Sequence, residues 1–299
     1  MKEDTLRKGD TSREETSSTQ PTRRQGDFPQ RTLVMGILNV TPDSFSDGGK
    51  WNQLPAALER AHYLREQGAD LIDVGGESTR PGSNRITVSE ELNRVLQVVQ
   101  TLAESGFKVS VDTVHAQTAK QCVMAGAAII NDISGACFDP QMATVMAESN
   151  ALCVIQHWRG FPGTDSEHLL THNVTSTLIK ELNEQVQQVL THGVNPEQII
   201  IDPGFGFAKD VTASWQLLRE IEQVKAAFDY PILLGTSRKR MLKDLSLQLA
   251  NQTQPVTVGV DELTAATSVI AAQIGAWAVR VHEPAASRAA IEVVHRLRT

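Results

Sequence analysis

From Arg31 onward the chain repeats one pattern: a short β-branched apolar run, a loop of Gly, Pro, Ser, Thr, Asn or Asp, then a longer amphipathic stretch. The runs are Leu33 to Val40, Ala69 to Gly75, Lys108 to Asp112, Ala128 to Asp132, Ala151 to Gln156, Gln198 to Asp202, Pro231 to Gly235 and Trp277 to His282, eight in all. Helical periodicity fills the intervals, as in Leu54 to Gln67, Ser89 to Glu104, Thr175 to Thr191 and Asp261 to Ile274. Gly68, Gly126, Gly193 and Gly275 stand where such helices must stop. Crossovers of this kind join parallel strands, and eight of them fit the roughly 250 residues of a closed barrel better than an open sheet with edges. The expected fold is therefore α/β, a (β/α)8 TIM barrel occupying residues 31–299 as one catalytic domain.

In a parallel sheet covered on both faces, a charged residue carries an unfavourable desolvation term. Here the polar exceptions gather at the ends of the runs. Asn39 closes the first, Asp73 the second, Asp112 the third, Asn131 the fourth and Asp202 the sixth, while Arg280 and His282 close the eighth. An Asp or Asn at such a place also caps turns and helices, so a single one reads either way. Their recurrence points to one shared site at the rim where barrels of this class carry chemistry. Along the last run Trp277, Val279 and Val281 share one face, and Ala278, Arg280 and His282 the other. Arg280 and His282 are thus expected to face the mouth roughly 6 to 7 Å apart, at ~3.3 Å per residue, as a clamp for pyrophosphate.

Three loops extend this chemistry. Asn39 to Gly49 is a long glycine-terminated segment, and Gly75 to Gly82 sets Ser78, Thr79 and Arg80 beside Pro81 in a segment suited to ordering over an anion. After the seventh run, Ser237-Arg238-Lys239-Arg240 places three cations at a helix start, where backbone N–H groups also favour anions.

A net charge of −7 argues against a general nucleic-acid binder. No apolar run is long enough to span a bilayer. Cys122, Cys137 and Cys153 show no metal or disulfide spacing and are expected to be buried reduced thiols, which suits the cytoplasm. Residues 1–30 are polar and of mixed charge, with Glu3, Asp4, Asp10, Glu14 and Glu15 arguing against a transit peptide. They are expected to form a disordered tail.

Met35 to Gly49, Asp73 to Gly82, Ser110 to Thr113, Asn131 to Ile133, Asp202 to Phe207, Ser237 to Lys239 and Arg280 to His282, in this order and spacing, resemble the dihydropteroate synthase family, bacterial type. The resemblance covers essentially everything from Arg31 to the C-terminus. It implies a transferase of folate biosynthesis in which 4-aminobenzoate attacks 6-hydroxymethyl-7,8-dihydropterin pyrophosphate, releasing pyrophosphate and forming 7,8-dihydropteroate. It implies a sulfonamide target, Mg2+ as cofactor, and a homodimer, to which the apolar late helices also point. Asp112, Asn131, Asp202 and Lys239 would bind the pterin, and Asn39, Arg80, Arg280 and His282 the pyrophosphate and its Mg2+, with Asn39 as metal ligand. Phe45, Thr79, Pro81 and Phe207 would form the aminobenzoate pocket, and Ser237 would also bind substrate. Gln156-His157-Trp158-Arg159 departs from a commoner Met-His-Met form and resembles actinobacterial relatives, with Trp158 set either against the pterin face or in the core. Arg240 replaces a Ser common in the family, which removes one hydroxyl contact. Two other functions share these motifs: a pterin-dependent methyltransferase that serves a corrinoid protein, and a catalytically weak pterin-binding paralogue.

Overall fold

A computed structural model describes residues 30–41, 53–77 and 85–299. Eight strands alternate with helices: β1 Leu33–Asn39, α1 Gln53–Glu66, β2 Leu71–Gly75, α2 Val88–Glu104, β3 Val109–Asp112, α3 Ala116–Met124, β4 Ile129–Asp132, α4 Met142–Glu148, β5 Leu152–Gln156, α5 Val174–Thr191, β6 Ile199–Asp202, α6 Val211–Arg219, α7 Ile221–Ala227, β7 Leu233–Leu234, α8 Arg240–Ala250, α9 Val260–Gln273, β8 Ala278–Val281 and α10 Pro284–Arg296. The four helices read from periodicity lie within one residue of their expected bounds, and Gly68, Gly126, Gly193 and Gly275 all take positive φ beyond helix ends. The tail, except for Gln30, lies outside the described residues.

All strands pair in parallel, in the order β6-β5-β4-β3-β2-β1-β8-β7. One further parallel bridge, Ile201 with Ile232, joins β6 to the residues before β7, with Ile201 N donating to Pro231 O at 2.9 Å. The barrel is closed by that bridge, and its weakest seam is the two-residue β7.

Strand alternation sorts the core into layers. One set of side chains, Leu33, Met35, Leu71, Ile129, Val154, Ile200, Leu233 and Ala278, fills the barrel interior at its N-terminal end. The alternate set packs outward on the helices: Leu38, Ile72, Val74 and Val111 meet Val95, Val98, Val99 and Leu102 of α2, whose i, i+3, i+4, i+7 spacing makes one apolar stripe. Each such side chain contributes roughly 1.5 to 3 kcal/mol on burial. Because the apolar plug stops at Met35, Ile129 and Ile200, the next inward positions are free to be polar. Below the barrel Asp70 accepts from Arg31 and from Val34 N, tying β1 to the segment just before β2.

No helix among the described residues is long and apolar enough to cross a membrane. Cys122 and Cys153 are buried as expected, with burial pushing both thiols up to about 12. Cys137 is exposed, against expectation, because it lies in the loop that follows the left-handed Ala136 rather than in a strand or helix.

Candidate active site

Above the apolar plug, the inward positions of successive strands form a charged floor. Asp73 comes from β2, Ser110 and Asp112 from β3, Asn131 from β4, Gln156 from β5, Asp202 from β6 and Arg280 from β8, all on the same face by register. Arg280 holds the centre. Its Nε donates to Asp73 Oδ2 and its Nη2 to Asp112 Oδ2, both at 2.6 Å, and Asn131 Nδ2 donates to the same Asp73 oxygen at 3.1 Å. Asp73 is fully buried, yet its Oδ1 has no partner, nor has the buried Ser110 Oγ. Both atoms lie sealed beneath the charged floor, so each carries an uncompensated burial cost.

Asp73 stands in the middle of β2 rather than at its end, two residues before Gly75, where the sequence pattern had set it at the rim. It therefore serves Arg280 from below. The sequence also set Arg280 beside His282 as an anion clamp. The alternation holds, but the two separate in role: Arg280 turns to the carboxylates, while His282, just beyond β8, meets Ser237 Oγ through Nδ1 at 2.9 Å. Burial, then the charge of Arg280, pushes His282 down to about 3, so it is neutral in this state.

Asp112 and Asp202, 8% and 4% exposed against 0% for Asp73, are the two less buried carboxylates of the floor. Burial raises Asp112 to about 7 against the pull of Arg280. It raises Asp202 to about 6, opposed by the Gly204 N–H, which donates to its Oδ1 at 2.7 Å, and by Lys239. Lys239 caps the start of α8 and turns inward, its Nζ 4.0 Å from the centre of the Phe207 ring. Burial, then Arg280, lowers it to about 8. Gly206, with φ of 71°, lies where an added Cβ would come within 3.1 Å of Lys239 Cδ, so the β6 loop needs glycine for Lys239 to pass.

The three expected cations at Ser237 to Arg240 do not form one anion site. Arg238 adopts a left-handed backbone, φ 56°, and binds Asp261 with Nε and Nη2 at 2.9 and 2.8 Å. That turn sends Lys239 inward and leaves Arg240 85% exposed outside. Only Lys239 reaches the floor.

Phe207 packs with Val114, Ile133, Trp158 and Phe161 into a small apolar wall at one side of the mouth. Trp158 meets Phe161 edge-on at 4.6 Å, and Arg85 stacks over Phe161 at 4.0 Å. Arg159 is occupied by Glu181 and by His168 O. Asn39 ends β1 beside Gly75, part-exposed at the rim. Phe45, Thr79, Arg80 and Pro81 lie outside the described residues.

Two groups escaped the sequence reading. Glu91, within α2, is 1% exposed and accepts from Thr113, Thr118 and His115 while Glu77 and Arg85 pair alongside. Glu77, Glu91 and His115 stand close enough to hold a metal ion, but Glu91 Oε2 already accepts three bonds, so the group works as a hub joining α2 to the β3 loop. Lys209 is the other. It follows Ala208 in the loop after β6 and is 5% exposed. Only its apolar context, Phe205 to Ala208, hinted at burial.

The chain matches the family described as "Pterin binding enzyme" over residues 35–282. A dihydropteroate synthase of Mycobacterium leprae (strain TN) is 40% identical over 262 residues, 87% of this chain and 92% of that protein. A Xanthomonas albilineans dihydropteroate synthase solved with 4-aminobenzoic acid superposes with a TM-score of 0.80 at 34% identity, covering 90% of this chain and 94% of the other. A Yersinia pestis dihydropteroate synthase in a sulfonamide drug complex gives a TM-score of 0.80 at 34% identity over 93% and 98%.

Proposed function

The chain belongs to the pterin binding enzyme family, and from that membership we infer that it is a dihydropteroate synthase. It joins 6-hydroxymethyl-7,8-dihydropterin pyrophosphate to 4-aminobenzoate and releases pyrophosphate. The observation that carries this reading is that the family match, residues 35–282, spans every residue of the charged floor from Asp73 to Arg280.

The substrate chemistry explains the floor. A pterin presents a row of N–H donors, which suits Asp112, Asn131 and Asp202, and its flat ring suits the Lys239 and Phe207 side of the mouth. Breaking the C–O bond leaves cationic character on the pterin methylene, which the buried carboxylates stabilise without moving. The negative charge goes to pyrophosphate. Arg280 from β8, His282 just beyond it, Ser237 from the β7 loop and Arg80 answer that charge, Arg280 by shifting between carboxylate and pyrophosphate partners. The aminobenzoate amine is itself the nucleophile, so no protein nucleophile is needed. Phe45, Thr79, Pro81 and Phe207 wall the aminobenzoate and exclude water, and Trp158 lines the same wall.

Mg2+ keeps most of its water and takes phosphate oxygens with only one or two protein ligands. Asn39, offering one amide oxygen at the rim, fits that need and would hold the ion. When bound it supplies charge neutralisation on the leaving group. The enzyme acts in the cytoplasm, a reading supported by the unpaired cysteines, and as a homodimer, supported by exposed Leu247, Val293 and Leu297 on the late helices.

The test is direct. Purified protein, Mg2+, the pterin pyrophosphate and 4-aminobenzoate are mixed, and dihydropteroate is sought by mass. Binding of the pterin pyrophosphate without product would reject the synthase reading.

A further inference from the structure

The loop after β6 is held in an unusual shape. Gly204, Gly206 and Ala208 take left-handed φ values of 67°, 71° and 50°, alternating with ordinary residues. The alternation sends Phe205 back into the helical shell, where it is 1% exposed, and Phe207 forward to the mouth. Ala208 pays the steric cost of a left-handed Cβ and is pinned by Glu167 Oε1 on its N–H and Leu170 N on its carbonyl.

Two of the loop's carbonyls converge on one ammonium. Lys209 Nζ donates to Gly204 O at 3.1 Å, Phe207 O at 3.0 Å and His157 Nδ1 at 2.9 Å. An ammonium has three donors, and these contacts use all of them. Lys209 therefore has no donor left for a substrate. Burial lowers Lys209 to about 7; in its ammonium form it only donates, so His157 then accepts through Nδ1 and carries its proton on Nε2, which meets Glu181 Oε2 at 2.8 Å. The chain Glu181, His157, Lys209 thus runs from a carboxylate 27% exposed on α5 to a cation buried beneath the loop.

We propose that Lys209 is a positioning residue for the pterin site. Clamping Gly204 O fixes the peptide whose N–H binds Asp202, and clamping Phe207 O fixes the ring beneath Lys239. Its charge, when present, also favours the ionised Asp202 carboxylate. Glu181 and His157 hold the ammonium in place through one fixed tautomer. The inference deepens the synthase reading and rests on it.

The experiment compares wild type, Lys209→Met and Glu181→Gln, with calorimetric binding of the pterin pyrophosphate and the KM of each substrate as readouts. In Lys209→Met, pterin pyrophosphate binding weakens by about ten-fold or more, the loss typical of a charged hydrogen-bond donor removed, while the 4-aminobenzoate KM, which feels only the loosened Phe207 wall, rises by clearly less. Glu181→Gln, at the open end of the chain, keeps the fold and weakens pterin binding in the same direction by about three-fold. A merely structural lysine would lower the fraction of active protein and leave the constants of the folded fraction unchanged. Wild-type pterin affinity in both variants, or equal loss of both substrates, overturns the proposal. If Lys209→Met does not fold, wild-type pterin constants in Glu181→Gln overturn it. Failure of the wild type to form dihydropteroate sinks the synthase reading instead.

Discussion

Arg280 Nη2 donates to Asp112 Oδ2 at 2.6 Å, joining side chains 168 positions apart across the mouth of the barrel. With Asp73 on its Nε, the guanidinium is shared by two buried carboxylates before any substrate arrives. A cation held this way is preorganised and already charged, and its partners are left costly to bury if it is removed.

Arg280→Met is therefore expected to lower stability as well as turnover. Leaving Asp73 and Asp112 unpaired costs about 3 kcal/mol by the usual size of a broken buried pair. Urea unfolding checks it: a midpoint equal to wild type would mean the carboxylates do not depend on Arg280.

Asp202 gives a pH-dependent difference whose sign follows from its raised pKa. Its folded value, about 6, lies above the ordinary carboxylate value, so between about pH 4 and 6 the folded state holds the proton that the unfolded state has lost. The carboxyl's stabilising contribution is full below that window and is lost as pH rises through it. Asp202→Asn keeps an oxygen for Gly204 N but cannot ionise, so its stability relative to wild type should rise with pH across the window, on the order of 2 kcal/mol. Paired unfolding curves at pH 4.5 and 7 decide; a difference that shrinks with pH contradicts the burial of this carboxylate.

Lys239 differs from Arg280. No carboxylate among the described residues lies within ion-pair distance of it, and burial already lowers its pKa to about 8. Lys239→Met should leave unfolding unchanged or slightly improved, while pterin pyrophosphate binding falls by about ten-fold or more. Calorimetry beside thermal unfolding separates the two effects, and loss of stability with intact binding would reverse the assignment.

Metal dependence tests Asn39. Chelation should abolish turnover and added Mg2+ restore it, and Asn39→Ala should raise the half-saturating Mg2+ about ten-fold with the maximal rate largely kept. An unchanged Mg2+ curve would remove Asn39 from the metal's coordination.

The sequence by itself determined the eight units, the faces of their strands and most of the floor. Asn39, Asp112, Asn131 and Asp202 were legible because the twofold alternation of a strand and the 3.6 period of a helix are local, and a polar residue that interrupts a buried run is visible without knowing its neighbours. Partners were not legible. Asp73 looked like another rim residue, and only the pairing of β1 with both β2 and β8 set it under Arg280, which lies 207 positions away. Glu91 and Lys209 did not stand out at all, since burial of a single ionisable group depends on what the rest of the chain stacks over it. Ser237 to Arg240 looked like one basic cluster, and a single left-handed residue, Arg238, sent its members to different surroundings. Local backbone geometry writes its periods into the sequence, whereas electrostatic partnership is a property of distances that exist only once eight strands have met.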